Sequence, residues 1–404
     1  MNTGLASKRR FVLILGCLTG IGAVTIDMSL PAFPEMVLDL ATSMPIGQQV
    51  VGLFIAGIAL GQIPAGLISD RIGRMPVLYV GIGIFTIAGI ACAITKNIEF
   101  LLLSRFIQGL GGSVGVVISR AIVRDISSGV QAARLMSVMV MIFTAGPMLA
   151  PIIGAFLVAL WGWRAPFVAI VVFGTLMLLG VNTGLQETHR PTRLEHPIRQ
   201  LSLSMKEFFS HRESRFGLLL GMVPSAGFIA MIAGSSAIVM DIYGFSVQAF
   251  GIIFASWGFG ILIASMLSRH LVLVHGVMRM INLGAILIGI ASVQLLIIAW
   301  LGQVSFWWLW GNICLFMFGV GILMPNATAL ALDPVPQIAG VAASLIGTGH
   351  ALAMTAGSLV SSAMYDGTIR NVAIIMGTCG VVTTVITLIR PFLHWLEKIV
   401  GSGH

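Results

Sequence analysis

The chain has 404 residues, of which 57% are hydrophobic and only 9% charged, with a formal net charge of +8. A soluble domain carries about 25% charged residues, so a soluble globular fold is excluded and an integral membrane protein is implied. Nor does the positive charge point to nucleic acid, because the basic residues are spread over short loops between apolar runs and gather on no single face.

Windows of about 20 apolar residues give twelve expected transmembrane helices in chain order, near 11–32, 46–68, 75–95, 98–122, 134–160, 164–185, 215–240, 247–269, 277–300, 304–330, 337–362 and 371–395. The fold class is therefore all-α integral membrane. Ahead of the first run, Lys8-Arg9-Arg10 resembles the start of a secretory signal, but no small-x-small cleavage site follows, so it reads as an uncleaved first helix. The longest polar interruption begins at Gln186 and is rich in Arg, Glu, His and Pro. It divides the chain into an N-terminal six-helix bundle (1–185), a cytoplasmic linker (186–214) and a C-terminal six-helix bundle (215–404). With the N-terminus cytoplasmic, Lys96, Arg164 and Arg370 fall outside, Arg105 lies within a span, and every other Lys and Arg is cytoplasmic. That distribution obeys the positive-inside rule.

In the first span Asp27 is the informative residue, the only acidic side chain well inside a predicted helix. An ionisable group there costs several kcal/mol and marks function by default. Counting about 1.5 Å per residue from Arg10 puts Asp27 roughly 25 Å from the cytoplasmic edge. The same count from Glu99 puts Arg105 roughly 9 Å below the outer surface, so the two share a depth. Between spans two and three, Gly66-Leu67-Ile68-Ser69-Asp70-Arg71-Ile72-Gly73-Arg74 is a charged tight turn. Its glycines permit the reversal, and Asp70, Arg71 and Arg74 stand where freed backbone groups need charged partners. Gly61 to Asp70 aligns with Gly260 to Arg269, Ser69 matching Ser268, a trace of two pseudo-symmetric halves related by a parallel repeat.

On helix four, Arg105, Gln108 and Gly112 fall at i, i+3 and i+7, a polar stripe beside Gly109, Gly111 and Gly115. This is the pattern of a helix that lines a cavity and packs closely on a neighbour. At its inner end Arg124 and Asp125 follow Arg120 by one turn. In helix five, Gly146, Pro147, Pro151 and Gly154 predict a bend, since each proline frees a carbonyl. The second half supplies candidate pocket walls in Phe228, Met231, Trp257, Phe316, Phe318 and Asn326, with His350 as a buried polar candidate on helix eleven. Gly111 to Gly115 also fits G-x-S-x-G around Ser113, which with His350 as base would suggest an intramembrane serine hydrolase. The nucleophile elbow, however, needs a strand-to-helix turn.

Cys17, Cys92, Cys314 and Cys379 lie in apolar runs without ligand spacing, so neither a disulfide frame nor a metal site is indicated. None of Lys8, Lys96, Lys206 and Lys398 completes a Walker A motif. No cofactor is expected, and active transport would draw on an ion gradient.

The turn from Gly66 to Arg74 resembles the signature loop between helices two and three of the major facilitator superfamily, with Met75 where a basic residue often ends the motif. Arg105-Phe106-Ile107-Gln108-Gly109 resembles that superfamily's helix-four motif, whose arginine is implicated in proton coupling. Gly146 to Gly154 resembles the antiporter motif of its exporters, with Ala150 and Pro151 in place of the usual glycine pair. Ile26 to Pro34, Arg120 to Asp125, Met324 to Ala327 and Ile338 to Gly340 resemble the bicyclomycin-resistance (Bcr/CflA) branch of drug:proton antiporters.

The resemblance implies two six-helix bundles rocking about a midplane cavity, with no enzymatic step. It further implies a proton-coupled exporter of small apolar or amphipathic compounds, acting as a monomer in a bacterial inner membrane with both termini cytoplasmic. Asp27 and Arg105 would couple protons, Asp125 would pair with Arg74, and Asp70 would cap the start of helix eleven near Gln337. The alternative is a proton-coupled carrier for one specific metabolite or siderophore-like product.

Overall fold

The computed structural model describes residues 9–127, 129–189 and 197–401. Lys8 and the middle of the expected linker lie outside these. Among the described residues twelve helices are long and apolar enough to cross a membrane: α1 (Arg9–Ser29), α2 (Met44–Ile72), α3 (Arg74–Ile94), α4 (Ile98–Ile126), α5 (Gly129–Trp161), α6 (Ala165–Gly184), α7 (Arg212–Ser236), α8 (Val247–His275), α9 (Val277–Leu301), α10 (Phe306–Leu332), α11 (Ala339–Ala363) and α12 (Arg370–Gly401). Such runs become helices because lipid offers no partner to backbone N–H and C=O groups, which must pair within the segment. The end at which α1 begins is called inner below, and the opposite end outer.

Several boundaries differ from expectation by a few residues, two of them for evident local reasons. The first span does not stop near residue 32: after α1 the chain passes through a 3₁₀ turn at Leu30–Ala32 and a short helix at Phe33–Asp39. Pro31 and Pro34 each stand in the first turn of these pieces, where a missing N–H costs nothing. The expected linker contains a helix of its own, Pro197–Ser210, and α7 starts at Arg212, ahead of the expected boundary. At the outer ends, side chains cap the helices that run inward. Asn97 accepts from the backbone N of Glu99 (2.7 Å) and Phe100, Ser246 from Ala249 (3.2 Å) and Ser305 from Trp308 (3.3 Å).

Packing groups the helices by halves. In the first, α4 contacts α1, α2 and α3, while α5 lies on α1 and α6 on α3. In the second, α7 contacts α10, α11 and α12, while α9 lies between α10 and α12. The halves meet mainly along two seams, α2 on α11 and α5 on α8. Glycine makes the crossings close: a Cβ on Gly57 (α2) would strike the Phe106 carbonyl, and one on Gly109 (α4) the Phe54 carbonyl.

The inner turns carry the repeat. Gly73 joins α2 to α3 at φ +101°, and Gly276 joins α8 to α9 at φ +79°, a region that only glycine enters freely. Pairing these glycines sets Ser69 against Val272, about one helical turn from the sequence alignment with Ser268.

Glu187, just past α6, explains why the first turn is so tight. Its carboxylate accepts hydrogen bonds from the backbone N of Arg74 (2.9 Å) and Met75 (3.0 Å), the otherwise unpaired start of α3, and from those of Thr188 and His189 (3.1 Å each). A side chain at position 73 would collide with that carboxylate. Partial burial pushes the Glu187 carboxyl up, but the four backbone donors outweigh it and hold the group below the ordinary carboxylate value of 4.5. A depressed folded-state pKa stabilises above the unfolded value and is lost as pH falls through the folded one. Glu187→Gln is therefore expected to lower the melting temperature of the purified protein at pH 7, with the gap to wild type closing as pH drops below 4.5. Thermal denaturation in detergent at both pH values checks this.

Candidate functional site

Between the halves lies a cavity of about 300 Å³. Its N-terminal wall is built by α1 (Thr19, Ile26, Asp27), α2 (Ile55, Ile58, Gln62) and α5 (Phe143, Pro147), and its C-terminal wall by α7 (Phe228, Ile232), α8 (Trp257, Ile261) and α11 (His350, Met354). Asp27 is 3% exposed and has neither a hydrogen-bond nor an ion-pair partner among the described residues. It stands toward the outer end of the cavity, because α1 runs outward from Thr19 to Asp27.

Arg105 is fully buried, but it does not meet Asp27. Its guanidinium donates to Gln108 Oε1 (2.9 Å), the Val50 carbonyl (3.3 Å) and Ser29 Oγ (3.5 Å), and it lies over the rings of Phe54 (4.5 Å) and Phe167 (5.7 Å). Asp27 and Ser29, two residues apart, occupy different faces of the same helix end. One looks into the cavity and the other toward α4. A shared depth, which the rise per residue gives, does not fix direction. Gln108 and Gly112 follow Arg105 into the N-terminal bundle instead of lining the cavity: Gln108 is buried beside Gly89 of α3, and Gly112 leaves room for the rings of Phe85 and Phe54. The α4 stripe is thus a contact face between helices. Val116, one turn on from Gly112, is the α4 residue at the cavity.

In the second half Phe228, Trp257 and His350 reach the cavity, and Met231, Phe316, Phe318 and Asn326 do not. Phe228 and Trp257 pack edge to face at 5.5 Å, and the buried indole N–H of Trp257 has no acceptor among the described residues. Met231 and Phe316 are wholly buried in the core, Phe316 against Gly227 and Gly380. Phe318 packs against a small cluster of Ala264, Met280 and Ile322. Asn326 donates to Ser268 Oγ (2.8 Å) and the Ile322 carbonyl (2.7 Å), a tie between α10 and α8.

The α5 motif serves the interface. Pro147 lines the cavity, and Gly146 and Gly154 face α1, a Cβ on Gly154 striking the Met28 carbonyl. Across the seam, Gly251 of α8 lies against Ile152 and the Pro151 carbonyl (3.0 Å from its Cβ position), and Gly258 against Met148. On the other seam, Ser362 Oγ donates to the Pro45 carbonyl (2.6 Å) and accepts from Gln49 (3.3 Å), so the outer halves of α2 and α11 are closed on each other.

At the inner end a second cavity of about 330 Å³ is lined by Gln62, Gly66, Asp70, Arg124, Gln337 and Gly340, among others. Arg74 organises its rim, donating to Asp125 (3.0 Å), to Ser69 Oγ (2.7 Å) and to Asp70. The Arg74–Asp125 pair is the one the resemblance implied. Asp70 differs: it pairs with Arg74 within α2–α3 and does not cap α11, whose flanking Gln337 binds Glu207 of the linker helix. Arg124, not Asp70, abuts α11, at Gly340. Arg71 is exposed at the end of α2. Ser113 sits mid-helix, donating to the Leu110 carbonyl (2.7 Å) beside Gly61 of α2, so no nucleophile elbow exists there.

The family profile described as Major Facilitator Superfamily matches residues 13–358. The chain belongs to the major facilitator superfamily. It is 31% identical to the Bacillus subtilis protein named "Uncharacterized MFS-type transporter YdgK", over 97% of each chain. It is 31% identical to a Haemophilus influenzae "Bicyclomycin resistance protein homolog", covering 92% of this chain and 94% of that one. "Multidrug resistance protein D" of Escherichia coli is 29% identical over 83% and 84%. Among solved structures, a D-xylose-proton symporter superposes at a TM-score of 0.75 with 17% identity over 93% of this chain and 95% of that one, and a POT family transporter at 0.73 with 16% identity over 98% and 96%. These two likenesses concern the fold. This superfamily member is a transporter.

Thr19, Gln62 and Glu187 were not among the expected site residues. For Gln62 a signal existed: Ile55, Ile58 and Gln62 recur at i, i+3 and i+7, a stripe ending in a polar group. Glu187 offered none beyond its place after an apolar run. The outer seam gives a direct check. A Cβ on Gly52 would stand 3.1 Å from that of Ser358, near the separation a disulfide needs. In a chain freed of its four native cysteines, Gly52→Cys with Ser358→Cys is expected to cross-link under mild oxidation and to stop flux until reduced. Gel mobility and flux, measured on the same sample, check it.

Proposed function

We propose that this chain is a proton-coupled exporter of small apolar or amphipathic compounds, acting as a monomer in a bacterial inner membrane with its termini cytoplasmic. The observation that carries the reading is Asp27: one carboxylate, unpartnered, at the outer end of a largely apolar cavity between two movable halves. Holding its charge out of water costs several kcal/mol. Either a proton or a donor group of a bound compound removes that cost, so the two compete for one site and their movements are opposed. The relatives named for bicyclomycin and multidrug resistance support export of assorted compounds over a carrier for a single metabolite.

Alternating access then proceeds by rocking of the halves along the α2–α11 and α5–α8 seams. In the state described, the outer ends of α2 and α11 are tied. Arg105 acts behind the cavity, binding Ser29 of α1, Val50 of α2 and Gln108 of α4 so that the N-terminal half moves as one body. The inner rim of Asp70, Arg74 and Asp125, with Arg124 on α11, forms contacts that must rearrange when the cytoplasmic side opens or closes.

Asp27→Asn is expected to reduce export of ethidium driven by a pH gradient at least tenfold in proteoliposomes, while ethidium counterflow without a gradient persists. Gradient-driven export at the wild-type rate would remove Asp27 from the coupling.

A further inference from the structure

The central cavity is polar at both ends. On α1 the residues facing it run from Thr19 to Asp27, eight positions and about 12 Å along the axis. Asp27 marks the outer end. Toward the inner end, at about the depth of Thr19, Gln62 of α2 and His350 of α11 line the same cavity. Between the ends the walls are Ile58, Ile232, Phe228 and Trp257.

The inner pair is open to a ligand. Gln62 is 8% exposed and has no hydrogen-bond partner among the described residues. It packs over Gly347, where a Cβ would stand 2.9 Å from its Oε1. The absence of a side chain at 347 is what lets the amide reach across to α11. His350 is one turn further along α11. Its Nε2 edge lies against Gly221 of α7 with no acceptor or donor in reach, which leaves the opposite edge of the ring for the cavity it lines. Buried polar groups are ordinarily paired, so two neighbouring ones without partners call for a physical explanation.

We propose that Gln62 and His350 form an uncharged hydrogen-bonding subsite, and that the cavity thereby selects two-ended amphiphiles. These carry a cationic or donor group toward Asp27, an apolar body along the isoleucines and Trp257, and an amide, hydroxyl or carbonyl group at the inner end. The proposal rests on the reading of this cavity as the transport site. The glutamine amide supplies both a donor and an acceptor, and the Nδ1 edge of a neutral imidazole supplies one or the other according to its tautomer, a set that a carboxamide complements. A site built to hydrogen-bond rejects an analogue lacking the group, because its own buried polar atoms are then left unpaired. Since Gln62 belongs to the first half and His350 to the second, the polar end of the ligand touches both. Gln62 also lines the inner cavity, so that end sits at the boundary a compound must cross between cytoplasm and site.

The test compares phenylbutylamine with its para-carboxamide derivative, binding each by calorimetry to the purified full-length protein. Wild type is expected to bind the carboxamide at least tenfold more tightly. In Gln62→Leu and in His350→Leu the preference should shrink to less than about threefold, with phenylbutylamine binding retained as proof of folding. If either leucine variant loses both amines, Gln62→Met or His350→Met takes its place under the same criterion. Asp27→Asn should weaken both amines alike and leave their ratio intact. Equal binding of the two amines to wild type, binding of neither, or a preference that survives both substitutions would overturn the subsite. Binding is read here without a proton gradient, so a failure of proton coupling shows in the flux assay and not in this ratio.

Discussion

Holding a charge away from water is the constraint on which this structure turns. Through the middle of the bundle Arg105 and Asp27 are both able to carry one, and the two are treated in opposite ways. Arg105 is surrounded: three oxygen acceptors and two aromatic faces substitute for water. Its charge is permanent and structural, joining α1, α2 and α4. Asp27 receives nothing from the protein. A fixed charge that is solvated by its surroundings makes a clamp, and a carboxylate without such surroundings makes a site that a mobile partner must complete.

The second condition is that two bodies move about that site without exposing backbone to lipid. The seams meet it with small residues. Gly52 and Ser358 on one side, and Gly251 and Gly258 against the proline-bearing α5 on the other, bring helices close enough for dispersion contacts while leaving few side-chain interlocks to break. Among the described residues the hydrogen bonds across the seams lie at the outer end, from Ser362 to Pro45 and from Gln49 to Ser362, while at the inner end Arg124 abuts Gly340. Contacts of this kind are few and partly solvated, as a reversible closure requires. Glu187 holds the α2–α3 turn from the linker side, so the rim built on Arg74 stays attached to the N-terminal half throughout.

Much of this was legible in the sequence, and what was legible follows from period and polarity. Twelve apolar runs gave the helices, because lipid leaves a backbone no alternative, and the isolation of Asp27 gave its importance. Azimuth was harder. Asp27 and Arg105 share a depth, yet the two-residue step from Asp27 to Ser29 turns the face away, and only packing reveals which side looks at α4. The stripe of Arg105, Gln108 and Gly112 was real but faced a neighbouring helix, since glycine-rich stripes mark close packing as readily as cavities. The repeat aligns in sequence one turn away from the pairing of its turn glycines, Gly73 and Gly276, which lie outside the aligned segment. Asp70 pairs locally with Arg74, a partner four residues away that competes with the distant end of α11. Glu187 is one residue acting on a turn more than a hundred positions earlier, and no local pattern announces that.

The central claim is that a proton and a bound compound exclude each other at Asp27. The most direct measurement is proton release on binding, followed with a pH-sensitive dye in weakly buffered detergent solution as ethidium is added to saturation. The account predicts release approaching one proton per wild-type molecule across the range in which Asp27 is protonated, and none from Asp27→Asn. Equal release from both proteins, or saturable binding to wild type with no release at any pH, would contradict it.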